Sequence, residues 1–160
     1  MEIRPVSEDD APFLVEMTLL AAFPPGPLPE GASEMPRSAR WTREWGRTGD
    51  AGVVAQLDGE RVGAAWCRLF DEPIVNDGTG NSIPDVAIAV SAEHRSVGVG
   101  GALLRALERE AAAAGHTRLC LTVNERNPAL RLYERAGYRL VRSDGEALTM
   151  ARSLERQSRF

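Results

Sequence analysis

Residues His94 to Leu104 read HRSVGVGGALL, and Gly98, Gly100 and Gly101 stand where a helix begins. Glycine inside a helix costs roughly 1 kcal/mol against alanine, so its concentration there calls for a reason. A helix N-terminus offers unpaired N–H groups and a partial positive charge, and without a Cβ in the way a phosphate can approach them closely. Arg95, just upstream, adds a charge-assisted donor. That chemistry is pyrophosphate binding. A tight strand-to-helix turn packed closely on a sheet would use the same glycines, and the glycines alone leave both readings open. The dinucleotide pattern GxGxxG fails because Leu103 stands at its third glycine, and GxxxxGK[ST] fails because the chain has no lysine. What does fit is [RQ]-x-x-G-x-[GA], as Arg95-Ser96-Val97-Gly98-Val99-Gly100.

The elements that must position this stretch follow from hydrophobic period and turn chemistry. MEIRPV reads as a short strand. SEDDAPFLVEMTLLAAF reads as a helix starting near Asp9 or Asp10, with Pro12 in its first turn. FPPGPLPEG is a proline-rich loop. SEMPRSARWTREWGR predicts a second helix, with Trp41 and Trp45 one turn apart. AGVVAQLDGERVGAAWCRLF is a hairpin turning at Asp58-Gly59. Residues 71–84 form a polar connection, and DVAIAV is a continuous apolar strand. Leu103, Leu104, Leu107, Ala111 and Ala114 stripe the helix that follows the glycines, and Gly115 ends it. TRLCLTV is a further strand, NPALRLYERAG a short helix, and YRLVRS and EALTMARS are strands around Asp144-Gly145. Strand, helix and strand from Asp85 to Val123 make a parallel crossover, which places ligands at the carboxyl ends of its strands.

Composition narrows the function class. The chain has 160 residues, 43% hydrophobic and 26% charged, which suits one domain over 1–160 with an ordinary core. A net charge of −4 gives no reason to expect nucleic acid. All 19 basic residues are arginine, so the chain offers no lysine side chain for acetylation. Cys67 and Cys120 lie in apolar runs, as buried thiols of a reducing compartment do. His94 and His116 are the only histidines, no metal-ligand spacing occurs, and no apolar run is long enough for a membrane helix. The N-terminus lacks the basic start of a signal peptide. These features predict a cytoplasmic protein without a metal and without membrane association.

The run VAIAVSAEHRSVGVGGALL, followed by TRLCLTVNERNPALRLYERAGY, closely resembles the GNAT superfamily of acyl-coenzyme A-dependent N-acyltransferases. The resemblance is specific over residues 85–140, where two motifs fall in the family's order and at its usual separation: the glycine cradle, then Asn-Pro-Ala…Leu-Tyr-Glu-Arg-x-Gly-Tyr. It implies an α/β fold with a mixed, twisted sheet of about seven strands and about four helices on both faces. The central parallel pair would splay to admit coenzyme A.

Residue by residue, the resemblance implies that Ile88, Ala89 and Val90 line the pantetheine arm, with the Val90 N–H near the thioester carbonyl. Backbone N–H groups from Arg95, Ser96, Val97, Gly98, Val99, Gly100 and Gly101 would hold the pyrophosphate of acetyl-CoA. Tyr133 matches the tyrosine that protonates the departing thiolate; as a residue, it also suits the core face of an amphipathic helix. Asn124 and Asn127 would bond the pantetheine or cap the short helix. The family's asparagine usually stands seven positions before the tyrosine, whereas Asn127 stands six before Tyr133. Asp85 is the nearest general base, equally readable as a solvated residue after Pro84, with Glu125 second to it. His94 reads as a surface residue. The acceptor side would be formed by the proline-rich loop, the second helix and residues 71–84, with Trp41 and Trp45 either lining an aromatic pocket or packing the core. The expected reaction moves an acetyl group from acetyl-CoA directly to a primary amine, on a small molecule or a peptide, in a ternary complex. A bulkier acyl group and a coenzyme A-binding regulatory domain without catalysis are the rival readings. Relatives are often dimers, so a homodimer is a further expectation.

Overall fold

A computed structural model describes residues 1–23, 25–72, 75 and 82–154. Its strands are β1 (Glu2–Pro5), β2 (Ala51–Leu57), β3 (Glu60–Arg68), β4 (Asp85–Val90), β5 (Arg118–Asn124), β6 (Arg139–Asp144) and β7 (Ala147–Ser153). Its helices are α1 (Ala11–Ala22), α2 (Pro36–Ala39), α3 (Val99–Ala113) and α4 (Ala129–Arg135). The strands form one sheet in the order β1-β2-β3-β4-β5-β7-β6. Every neighbouring pair is antiparallel except β4 and β5, which are parallel and joined through α3.

Alternation along the strands divides the core into two layers. Val53, Ala55, Ala65 and Cys67 face α3, where Leu103, Leu104 and Leu107 are fully buried. Val54, Ala64, Trp66 and Ala89 face the other way, onto Leu14 and Met17 of α1. Each of the three α3 leucines contributes about 2 kcal/mol on burial. Helices therefore cover both faces of a mixed seven-stranded sheet, as expected.

Turn chemistry sets the register. Asp58 and Gly59 both adopt positive φ (51° and 81°), the requirement of a two-residue hairpin turn. Ahead of α1, Ser7 and Asp10 form a capping box around a short 3-10 turn, and the helix itself begins at Ala11.

The second helix departs from expectation. Only one turn, Pro36–Ala39, is helical, and turns continue to Gly46. Two causes are visible. Glu44 and Gly46 take positive φ, which no right-handed helix accommodates. The fully buried Arg68 also draws off backbone carbonyls, its Nη1 donating to Arg40 O at 3.0 Å and Arg43 O at 2.7 Å. Its Nε and Nη2 meet Asp50 at 3.0 and 2.8 Å, so a buried, two-pronged ion pair holds this segment against the sheet. Trp41 and Trp45 lose their helical spacing. Both pack with the α1-side core, and the Trp41 carbonyl accepts the Trp66 indole N–H at 3.2 Å.

Candidate active site

The central parallel pair barely pairs. β4 and β5 share one register position, Asp85 opposite Cys120, with the Cys120 N–H donating to Pro84 O at 3.1 Å. Beyond it towards the carboxyl ends the strands part. Antiparallel ladders turn alternate residues to opposite edges. Ser91 N–H donates to Val62 O of β3, so Ala89 also turns its amide to β3, while Ile88 and Val90 turn theirs towards β5 and the opening. Of the three residues expected along the pantetheine arm, Ile88 and Val90 thus present the free edge.

At the mouth of this opening stands the N-terminus of α3. Ser96 (φ 64°) and Gly98 (φ 90°) are both left-handed, which curls the intervening backbone into a concavity, and no side chain caps the helix. A Cβ on Gly98 would meet nothing within 4 Å, so the space before it is open, whereas one on Gly100 would meet Leu132 Cδ2 of α4 at 3.2 Å. The glycines therefore differ in what surrounds them, and Gly100 packs on α4, not on the sheet. Gly98 makes the turn and leaves an open approach, and Gly100 lets α4 pack closely. Val97 is well exposed, Val99 is buried, and a Cβ on Gly101 would meet Arg105 Nη1 at 3.4 Å and Leu132 Cδ1 at 3.6 Å. Arg95 bends back, its Nε donating to the Val90 carbonyl at 3.1 Å. An open, uncapped helix N-terminus beside a free strand edge has the room and the unpaired N–H groups that a pyrophosphate and a pantetheine arm call for.

α4 carries Tyr133 beside that turn. Tyr133 is buried, packs edge-on against Tyr138 at 5.9 Å, and has its phenol pushed up to about 12 by burial. The two asparagines are engaged locally: Asn124 Oδ1 accepts Arg126 N–H at 2.8 Å, and Asn127 Oδ1 accepts Ala129 N–H at 2.9 Å, capping the start of α4. Among the described residues, their amide N–H₂ ends have no partner. Glu125 is exposed at the end of β5. His94 is half-buried, its Nδ1 2.8 Å from Ser91 Oγ.

Asp85 is buried at the root of the opening and is not a solvated residue. Burial raises its carboxyl above the ordinary range, opposed by the hydrogen bond from Cys120 and the charge of Arg40. Cys120 Sγ lies 3.1 Å from Oδ1, and Arg40 Nη2 lies 3.7 Å from Oδ2. The Arg40 guanidinium rests 4.2 Å above the Phe70 ring, which meets Trp41 edge-on at 5.0 Å. Arg40, Trp41 and Phe70 thus form one cluster beside Asp85. Residues 73, 74 and 76–81 of the expected acceptor connection lie outside the described residues, as does Pro24 of the proline-rich loop. A groove of about 600 Å³ lies elsewhere, between the end of α4 and the β6–β7 hairpin, and holds none of these groups.

Sequence reasoning missed Arg40, Phe70, Cys120 and the Arg68–Asp50 pair. Arg68 did leave a signal: it is the one charge within GAAWCRLF, and a charge inside an apolar strand needs buried partners. No comparable signal marks Asp50 or Arg40.

The sequence pattern of the acetyltransferase (GNAT) family matches residues 16–138. The chain belongs to the GNAT family. It is an acyltransferase, and acetyl-CoA is the family's acyl donor. Solved GNAT structures share its fold. The ribosomal-protein-alanine N-acetyltransferase of Brucella melitensis superposes with a TM-score of 0.72 at 22% identity, over 96% of this chain and 100% of that one. yncA of Salmonella typhimurium, solved with its cofactor acetyl-CoA, gives 0.74 at 18% identity over 99% and 96%. A GNAT acetyltransferase of Streptococcus pneumoniae gives 0.66 at 21% identity over 96% and 99%. No curated protein matches this GNAT sequence.

Proposed function

We propose that the chain transfers an acetyl group from acetyl-CoA directly to a primary amine, with both substrates bound together. The observation that carries this reading is the parting of β4 and β5 after one register pair, with an open helix N-terminus at the mouth. Backbone N–H groups from Ser96 to Gly101 bind the pyrophosphate, and Arg95 adds charge. Ile88 and Val90 pair with the pantetheine arm as a missing strand would. The Val90 N–H steadies the carbonyl oxygen of the thioester as negative charge develops on it.

Asp85 takes a proton from the acceptor ammonium, directly or through water, so that a neutral amine attacks. The raised carboxyl suits that task, because a base works best when its pKa approaches the working pH. Tyr133 remains protonated throughout the neutral range and donates to the thiolate as the carbon–sulfur bond breaks. Arg40, Trp41 and Phe70 form one wall for the amine. The two buried free thiols accord with a reducing cytoplasm. Among the described residues, no helix is long and apolar enough to cross a membrane.

The test is thiol release from acetyl-CoA across aminoglycosides, polyamines, amino acids and peptide N-termini. At least one class should turn over, and Tyr133→Phe should lower its kcat by about 100-fold with acetyl-CoA affinity kept. Binding of acetyl-CoA without thiol release from any class would instead identify a regulatory domain.

A further inference from the structure

Cys120 is a buried thiol that the reaction above leaves without a role. It stands opposite Asp85 at the single register pair of β4 and β5. Leu119, Leu121 and Val123 of β5 face α3, so Cys120 projects to the other face, as do Ala87 and Ala89 on the Asp85 side of β4. Three acceptors surround its sulfur: Ile83 O at 3.7 Å, Pro84 O at 3.5 Å and Asp85 Oδ1 at 3.1 Å. The Pro84 carbonyl already accepts the Cys120 N–H. Among the described residues, the nearest acceptor and the only charged one is the carboxylate, and charge-assisted hydrogen bonds are the stronger kind.

We infer that Cys120 is the positioning residue of the general base: its S–H holds Oδ1 of Asp85 and so turns Oδ2 to the acceptor amine. The inference rests on Asp85 acting as the base. The two oxygens are differentiated by their surroundings. Oδ1 is fixed from β5 inside the sheet. Among the described residues, Oδ2 meets only the longer 3.7 Å contact from the half-exposed Arg40, which an incoming ammonium can replace. Among the described residues, the charged groups acting on this pair are Arg40, which follows α2, and Arg118 of β5 itself. Cys120 is not an acyl carrier. Burial and the adjacent carboxylate push its thiol far up, so thiolate is not available.

The experiment is a carbon-13 NMR titration of aspartate carboxyls in the unliganded protein, with the Asp85 signal assigned by Asp85→Asn. It needs no acceptor. In Cys120→Ala the carboxylate loses its donor, so the Asp85 midpoint should move to higher pH, while Cys120→Ser, which keeps a donor, should stay near the parent. Cys120→Val, which fills the site and also lacks a donor, serves if the alanine variant does not fold, with the same expectation as alanine. The acid limb of kcat/KM, measured with the panel amine that releases most thiol, should follow the same order. An unmoved midpoint in Cys120→Ala, or a serine variant displaced as far as alanine, overturns the positioning role. If Asp85→Asn keeps full turnover and an unchanged acid limb, the base itself is wrong and the inference falls with it. If Asp85→Asn abolishes both while Cys120→Ala changes neither limb nor midpoint, the base stands and only the positioning role falls.

Discussion

Asp85 is a residue whose two effects should oppose each other. Its carboxyl is raised by burial, so the folded state pays to keep it ionised. For an acid with a raised folded pKa, stability is highest below the unfolded pKa and falls as pH rises through the folded one. Asp85→Asn removes that cost. At pH 7 it should melt above the parent in calorimetry while losing kcat by about 100-fold or more. Turnover in the parent should rise with pH through the Asp85 titration, on an acid limb above the ordinary carboxylate range. Arg40→Ala removes a cation that favours the carboxylate, so the limb should move to still higher pH in a stopped-time assay. A limb that moves the other way would remove Arg40 from the site.

At the scale of elements, the glycines of α3 separate two functions that one substitution each can expose. Gly98 sits at φ 90° with open space before it, so Gly98→Ala strains the backbone by about 1 kcal/mol and puts a methyl in the anion approach. Acetyl-CoA binding by calorimetry should weaken by tenfold or more, on the order of 1.4 kcal/mol. Gly100→Ala presses on Leu132 and should act on the packing of α4 and Tyr133, lowering kcat more than donor affinity. The α2 segment depends on the Arg68–Asp50 pair. Arg68→Met should lower stability by about 3 kcal/mol in urea denaturation, because it leaves the Asp50 carboxylate without its cation, held, among the described residues, only by the Gly46 and Arg47 N–H groups.

These elements differ in how plainly the chain announces them. The crossover from Asp85 to Val123 and both hairpins were legible because period, apolar runs and Asp-Gly turns agree there. The helix over 33–47 was not, since Trp41 and Trp45 mimic a helical stripe while Arg68, far along the chain, takes the carbonyls a helix would use. The donor half of the candidate site was readable for the same reason the crossover was: its motifs are contiguous. The proposed acceptor half is assembled from Arg40, Phe70, Asp85 and Cys120, which long-range folding alone brings together.

Across the whole molecule, the acid-sensitive point lies at the opposite end of β3 from the proposed base, beside Arg61 where Asp85 stands beside Arg68. Asp10 is fully buried and receives Arg4 through two bonds at 2.7 and 2.8 Å, Arg61 at 2.8 Å and the Ser7 N–H at 2.7 Å. The Arg4 bonds are foremost in holding its carboxyl far below the usual carboxylate range. A depressed folded pKa contributes stability present above the unfolded value near 3.8 and lost as pH falls below it. Asp10→Asn should therefore cost about 2 kcal/mol at pH 7, discounted because both arginines are partly exposed, and progressively less in an acid series. The far edge of the sheet, β6, is wholly exposed and carries Arg139 and Arg142 beside Leu140 and Val141, charges that discourage pairing with another strand.

The sheet is thus complete at its edges and unfinished at its centre. Its interior gap puts the amides of Ile88 and Val90 in the position of a seam left unsewn. In hydrogen–deuterium exchange those two should lose their protons quickly while Ala87 and Ala89, paired to β3, hold theirs. Saturating acetyl-CoA should slow Ile88 and Val90 to the rate of their neighbours, making the donor, for as long as it stays, an eighth strand.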